Sequence, residues 1–156
     1  MAVWSEYTLE VLKAAGWYPE RRIDPEPFIS VLREEGYEVS SAVVEFLSRF
    51  GGLTVTHRHQ AADFAASRGW CTEDQFEFYA SRLATHFPSD IRRDYERRIG
   101  RPVCLVGSCC GKRMLLFMSD DGAVYESYDD ILNVVGRNAI ESLNTICNNA
   151  PRAAVP

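Results

Sequence analysis

The sequence lacks the long apolar run that a membrane-spanning helix requires, because none of its hydrophobic stretches approaches ~18 residues. Its first six residues carry neither a basic start nor an apolar segment, so they do not indicate an export signal. Glycine (10) and proline (7) are scarce among 156 residues, and 46% of the chain is apolar, which excludes a disordered protein. We therefore expect one soluble domain in the cytoplasm, without a membrane partner.

Cysteine is too sparse and too irregular to suggest a disulfide framework or a metal site. The five cysteines are an odd number and show no C-x2-C spacing, which favours a reducing compartment. Adjacent Cys109 and Cys110 cannot easily both ligate one tetrahedral metal ion, so we expect no metal and no cofactor. A cysteine-dependent enzyme stays open as an alternative, with one of these thiols paired to His57, His59 or His86.

Negative charge is concentrated in one short segment. The net charge is -5, and residues 120–130 contain five acidic residues and no basic one, so the rest of the chain sums to zero. Such a chain is a poor general ligand for nucleic acid and a better partner for a basic protein. We predict a docking surface formed by these acids and two nearby tyrosines: Asp120, Asp121, Tyr125, Glu126, Tyr128, Asp129 and Asp130.

Arginine dominates the basic residues, and five arginines lie between residues 92 and 101. On a helix, Arg93, Arg97 and Arg101 would form one basic edge able to meet phosphates, so a nucleic-acid-binding module is a second alternative. Asp94 is spaced equally well for ion pairs with Arg97 and Arg98, which favours a solvated helix face instead. We expect neither nucleic acid nor a small-molecule substrate as the partner.

Three short helices are predicted in the first third, each with a capping residue before it and a glycine after it. They run between Ser5 and Gly16, between Asp24 and Gly36, and between Ser40 and Gly51. The alternation over 53–57 then predicts a half-buried strand.

The next segments are predicted from local signals alone. A turn and a second strand are expected around Phe64, and the capping box at 72–75 predicts a helix that carries Phe76, Tyr79, Leu83 and Phe87. Ser89 is expected to begin another short helix that ends at Gly100.

The last third predicts a strand pair, a hairpin and further helices. The expected elements are strands at 103–106, 114–118 and 123–128, a tight turn at Asp121–Gly122, a helical stretch over 131–136, a terminal helix around 140–147 and a frayed tail over 151–156. The order of elements predicts a single α+β domain over 1–150, with a largely antiparallel or mixed central sheet flanked by helices.

Several segments resemble, in order and nearly over the whole chain, the third immunity-protein family of the SUKH superfamily. They are Trp4, VLKAAGWYP at 11–19, Arg21–Asp24, FLSRFGGLTV at 46–55, Pro102–Val103, Val106–Gly107, LLF at 115–117, DDGAVY at 120–125 and the terminal helix with Ala139, Ile140 and Leu143. The resemblance implies a SUKH-like fold and a non-enzymatic inhibitor. Such a protein binds a bacterial toxin domain, often a nuclease or a nucleic-acid deaminase, and protects the producing cell.

The resemblance also implies roles for single residues. Four glycines are expected at backbone corners: Gly51, Gly52, Gly107 and Gly122. Trp17, Tyr18 and Arg22 are expected either to support the core or to contact the partner. The sequence departs from the family over 58–101 and at Cys109–Cys110, and we expect toxin specificity to differ there.

Overall fold

The computed structural model describes residues 2–59, 61–79 and 84–156, and these form an α+β fold, as predicted. The helices bounded within these residues are α1 Glu6–Ala14, α2 Glu26–Glu34, α3 Ser41–Phe50, α4 Ala62–Ser67, α5 Ser89–Ile99 and α6 Ala139–Cys147. The strands are β1 Thr54–Arg58, β2 Glu73–Glu77, β3 Val103–Cys109, β4 Met114–Ser119, β5 Val124–Tyr128, β6 Ile131–Gly136 and β7 Ala153–Ala154. None of the helices that the structure describes is long and apolar enough to cross a membrane.

The strands form one sheet in which sequence order and spatial order coincide. The order is β1-β2-β3-β4-β5-β6-β7, and every neighbouring pair is antiparallel. Among the neighbouring pairs formed by β1 to β6, β2 and β3 share the shortest ladder, because Glu77 and Ser108 are their single paired position. The predicted antiparallel sheet is therefore confirmed, with a nearly separate β1–β2 ribbon along one side.

Because the strands alternate in direction, their connections fall at two ends of the sheet. We call the upper end the one that carries the β1–β2 connection (59–72), the β3–β4 turn (110–113) and the β5–β6 turn (129–130). The lower end carries the β4–β5 turn (120–123). The entry into β1 lies higher, because Thr54 pairs with Glu77 and Glu77 pairs with Ser108 near the end of β3. This division decides which predicted site residues can act together.

Helices cover both faces of the sheet. Tyr95 of α5 packs against Phe117 of β4 with ring centroids 5.5 Å apart. The neighbouring Met118 points to the other face, because side chains alternate along a strand, and it shares a surface depression with Phe46 and Phe50 of α3. The core between these layers is continuous and rich in aromatic rings.

The caps predicted for the first helices are confirmed. The Ser5 hydroxyl accepts a hydrogen bond from the Thr8 amide at 3.1 Å, and the Ser40 hydroxyl accepts one from the Val43 amide at 3.3 Å. At α2 the cap position is Pro25, and Asp24 accepts a bond from the Glu26 amide instead. Gly100 ends α5 in the left-handed region at φ 81°.

The helix predicted from the capping box at 72–75 is wrong, since this segment is strand β2. Val55 and Phe76 pair across β1 and β2, and both are buried. Pairing with β1 satisfies the backbone groups that a helix would have bonded internally, and it buries Phe76, so a distant contact overrides the local signal. The predicted position of Leu83 lies outside the described residues.

Two further local predictions are corrected in the same way. The strand expected around Phe64 is helix α4, and the helical stretch expected over 131–136 is strand β6. Tyr128 pairs with Ile131 across a two-residue turn, so Asp129 and Asp130 close a hairpin and do not begin a helix. Ladder pairing with β5 decides the conformation of β6.

The last residues, predicted to form a frayed tail, are held against the sheet. Ala153 and Ala154 pair with β6 as strand β7. The Arg98 guanidinium donates to the carbonyls of Val155 at 2.7 Å and Pro156 at 3.1 Å. Arg152 of this segment also forms an ion pair with Glu126 at 3.2 Å.

Gly107 is the one predicted corner glycine that lies elsewhere. It sits inside β3, beside a register shift between Leu105 and Gly107, and a Cβ atom there would collide with the Glu77 carbonyl and the Phe78 ring. Its role is therefore close approach of two backbones. Gly52 and Gly122 do lie at corners with positive φ, and Gly51 ends α3 where a Cβ atom would collide with the Leu47 carbonyl.

Candidate interaction surface

The structure separates the acidic residues that the sequence places in one segment. Asp120 and Asp121 lie at the lower end, whereas Asp129 and Asp130 lie at the upper end. Strand β5 stands between the two pairs and is about 14 Å long at ~3.4 Å per residue. The predicted docking surface is thus not one continuous acidic patch.

The carboxylates of the lower turn are used within the protein. Arg101 forms ion pairs with Asp120 at 2.9 Å and with Asp121 at 3.4 Å. Asp121 also accepts hydrogen bonds from the Ser119 hydroxyl and the Ala123 amide. The bond from Ser119 is the main reason that the pKa of Asp121 lies below its ordinary value. This turn presents little uncompensated charge.

The upper turn is held by its backbone and leaves its carboxylates free. Asp129 adopts a left-handed conformation at φ 52°, and its carbonyl accepts a bond from the Tyr95 hydroxyl at 2.6 Å. The Asp130 carbonyl accepts one from Arg98 at 2.9 Å. Among the described residues, neither carboxylate has an ion-pair partner.

Apolar side chains flank those free carboxylates. Tyr128 is 55% exposed and Ile131 is 50% exposed, and the two pair across the hairpin. Exposed apolar area beside unpaired charge is the composition expected of a protein interface, in which an apolar centre is surrounded by a polar rim. Tyr128, Asp129, Asp130 and Ile131 form what we call the acidic turn.

Two of the predicted contact residues on β5 face inwards. Glu126 is only 4% exposed, and its carboxylate accepts a bond from the Asn133 amide at 3.2 Å and pairs with Arg152. The Cys109 thiol lies 3.7 Å from the same carboxylate. Tyr125 is half-buried. The free protein therefore does not offer Glu126 at its surface.

Of the residues singled out near the first helix, Trp17 is buried, and Tyr18 and Arg22 lie at the surface. Trp17 is 3% exposed and stacks on Phe50 with an interplanar angle of 10°, so it supports the core. Tyr18 is 52% exposed. Arg22 is exposed and forms an ion pair with Glu45 at 3.3 Å.

The β1–β2 connection carries a surface feature that sequence reasoning missed. Phe64 and Trp70 are 54% and 60% exposed, and their rings meet edge to face with centroids 5.7 Å apart. The Arg68 guanidinium lies 5.2 Å from the centre of the Phe64 ring. The sequence signal for this feature is a pair of large aromatic residues in a segment rich in alanine. Sequence reasoning missed it because a strand was predicted around Phe64.

A cleft of 510 Å³ opens between this connection and the β3–β4 turn. Phe64, Ala65 and Trp70 form its apolar wall, and Glu73 and Asp74 from the start of β2 also line it. The Asp74 carboxylate accepts a bond from the Gln75 amide at 2.8 Å. His59, Cys71, Cys110 and Arg113 also line it. We call this space the Trp70 cleft, and it lies at the same end of the sheet as the acidic turn.

The arginines around α5 are largely engaged with the protein itself. Arg97 pairs with Asp94, and the hydrogen bond between them holds the pKa of Asp94 below its ordinary value. Arg92 lies 4.3 Å from the centre of the Tyr37 ring. With Arg98 and Arg101 also bonded as described, the predicted basic edge is not a row of free cations, and Arg93 alone of its three members lacks an ion pair in the described ranges.

Only one cysteine thiol has a lowered pKa among the described residues, that of Cys110, and the hydrogen bond with Cys109 is the main cause. Burial raises the pKa of Cys104 and of Cys147 to about 12. Cys109 is fully buried, and its hydrogen bond with Cys110 together with burial raises the pKa of its thiol. Each histidine bonds elsewhere: His57 to the Arg58 carbonyl, His59 to the Ala61 amide and His86 to Thr85.

The described part of the chain also holds no cluster of three or more potential metal ligands.

One comparison with known proteins identifies a relationship. The family model described as SUKH-3 immunity protein matches residues 4–149, which include every element from α1 to α6 and leave out β7. No curated protein and no solved structure matches the chain. The relationship of this chain to known proteins therefore rests on the family model.

Proposed function

This chain belongs to the SUKH-3 immunity protein family, and we propose that it binds a cognate bacterial toxin domain and neutralises it by occluding the toxin's active site. We place it in the cytoplasm of the producing cell, where it acts as a stoichiometric inhibitor without a cofactor. The partner we propose is a nuclease or a nucleic-acid deaminase, since both act on a polyanion. Membership of an immunity family is the observation that carries this proposal.

The charge of the acidic turn supports a basic partner. A toxin that acts on nucleic acid needs Lys and Arg side chains to hold phosphates. The free carboxylates of Asp129 and Asp130 complement such a surface, and complementary charge speeds association and fixes orientation. Tyr128 and Ile131 then supply the apolar contact that slows dissociation.

Rigidity of the acidic turn supports the same proposal. The bonds from Tyr95 and Arg98 fix the turn's two carbonyls to α5 before any partner arrives. A turn already in one conformation loses little entropy on binding, so more of the contact energy appears as affinity.

The test is a titration of the purified chain against the toxin domain encoded beside it, with the toxin's activity measured in parallel. We expect tight one-to-one binding and loss of toxin activity in proportion to the bound fraction. Addition of the toxin's nucleic-acid substrate should compete with the chain, because occlusion makes the two mutually exclusive. Binding without loss of activity would contradict occlusion, and absence of binding would contradict the proposed function.

A further inference from the structure

We propose that the Trp70 cleft receives an arginine or lysine side chain of the toxin, so that the partner surface extends from the acidic turn to the β1–β2 connection. This inference rests on the proposed function and names a second contact for the same partner. It is carried by the exposed aromatic rings, by the unpaired carboxylates beside them and by their position at the upper end of the sheet.

The aromatic rings are displayed on a backbone that is fixed. β1 and β2 pair through Arg58 and Glu73, and the His59 amide extends the pairing to the Thr72 carbonyl at 2.8 Å. The Trp70 amide donates to the Ala65 carbonyl at 2.8 Å, which closes the end of α4. Large apolar side chains held in water by ordered backbone indicate an interaction site.

The cleft has the chemistry of a site for a basic side chain. The protein's own Arg68 already lies over Phe64, whereas among the described residues no cation lies over the Trp70 ring. Tryptophan is the best aromatic acceptor of a cation, and the aliphatic stem of Arg or Lys packs well on such a ring.

Carboxylates beside the ring strengthen that reading. Glu73 and Asp74 line the cleft without an ion pair in the part of the chain that the structure describes. The basic groups facing them are Arg113, whose Nε donates to the Cys110 carbonyl at 3.1 Å, and His59. The carboxylates of the lining outnumber its one guanidinium, and an incoming cation would pair with them.

One partner can reach both the acidic turn and the Trp70 cleft, because both lie at the upper end of the sheet. The β1–β2 connection and the β5–β6 turn are four strand spacings apart, or about 20 Å at ~4.8 Å per strand. A standard interface buries roughly 800 Å² on each partner, which is wide enough to include both. The basic toxin surface proposed for the acidic turn therefore also reaches the Trp70 cleft.

Substitutions at Trp70 test the contact against the same toxin domain. Trp70→Ala should weaken binding at least about 10-fold, mainly through faster dissociation, as truncation of a central aromatic contact does. Trp70→Phe should retain part of the affinity, because it keeps an aromatic face. Val3→Ala is the control, since Val3 is an exposed apolar side chain (75%) that belongs neither to the acidic turn nor to the lining of the Trp70 cleft, and it should bind like the wild type.

Two further variants separate a basic occupant from an apolar one. Trp70→Leu keeps apolar bulk without an aromatic face, so it should lose nearly as much affinity as Trp70→Ala. Glu73→Gln should weaken binding a few-fold and reduce its dependence on salt, because it removes a carboxylate from the cleft. Circular dichroism of each variant confirms that the fold is retained.

The outcomes distinguish this inference from the function on which it rests. Wild-type affinity in Trp70→Ala, with binding still weakened by substitution of Asp129 and Asp130, overturns the inference and leaves the function standing. Full affinity in Trp70→Leu overturns the basic occupant in favour of an apolar one. A wild-type chain that binds no toxin overturns both.

Discussion

The two hairpin turns at opposite ends of β5 each carry two aspartates and differ in whether those carboxylates are paired within the protein. At the lower end Arg101 compensates Asp120 and Asp121. At the upper end Asp129 and Asp130 have no ion pair within the described residues, and exposed Tyr128 and Trp70 lie on the same side. A carboxylate that is already paired within the protein has little to offer a partner. We therefore place the proposed docking surface where the carboxylates are unpaired, and not where most acidic residues occur in the sequence.

The largest expected effect comes from removing the ion-pair partner of Glu126, which lies on β5 between the two ends of the sheet. Arg152→Met removes the ion-pair partner of Glu126, whose carboxylate is nearly inaccessible. An uncompensated buried charge should lower the free energy of unfolding by about 3 kcal/mol, measured by urea denaturation. The double variant with Glu126→Gln should recover much of the loss. Unchanged stability of Arg152→Met would show that Glu126 belongs with the surface charges.

The next prediction compares the two acidic turns directly. Asn at both 129 and 130 should slow association with the toxin domain about 10-fold at low salt, because unpaired carboxylates steer the encounter. Asn at both 120 and 121 should change the rate less than about 2-fold, since Arg101 compensates the original charges. Stopped-flow kinetics at several salt concentrations measure both. Equal changes in the association rate for the two double variants would contradict the inferred difference between the two turns.

A substitution at Arg101 frees the carboxylates of Asp120 and Asp121 and tests the comparison of the two turns from the lower end. Arg101→Gln removes both ion pairs to the β4–β5 turn. The pairs are solvent-exposed, so the free energy of unfolding should change little. The freed charge should raise the salt dependence of toxin association if the lower end can be reached during the encounter. Unchanged association would confine steering to the acidic turn.

The smallest effect concerns the pH dependence of the lower turn. Ser119→Ala removes the main cause of the low pKa of Asp121, so that pKa should rise towards its ordinary value, as followed by carboxyl NMR. The folded pKa lies below the unfolded one, so this contribution to stability is present above about pH 4 and is lost as the pH falls through the folded pKa. The variant should therefore lose under about 0.5 kcal/mol, and only above that range. An unchanged titration would contradict the assigned hydrogen bond.

Local signals predicted the helices whose ends are satisfied locally. Ser5 and Ser40 cap α1 and α3 because their hydroxyls reach amides three residues away. The conformations of β2 and β6 could not be predicted in this way. Each depends on a partner strand, through Val55 with Phe76 and through Tyr128 with Ile131, and a local motif does not encode that contact.

The candidate surface was predicted in part for the same reason. Tyr128, Asp129 and Asp130 were recognised from composition, and the structure places them together. Glu126 was assigned to the same surface because Arg152, which holds it inside, is remote in sequence. Trp70 was missed because its role depends on carboxylates brought beside it by β2.

The narrow join between β2 and β3 has a consequence for how the two proposed contacts can be spaced. Glu77 with Ser108 is the single paired position there, with one further bond from the Gly111 amide to the Gln75 carbonyl at 3.3 Å. Strands β3 to β6 are joined by longer ladders of four to six paired positions. The ribbon that bears Trp70 is therefore positioned mainly by other contacts. Val55 and Phe76 are buried in the core, and the Arg58 backbone is bonded to the Tyr7 hydroxyl and the Asn149 amide. The distance from Trp70 to the acidic turn thus depends on the packing of α1 and of the residues that follow α6.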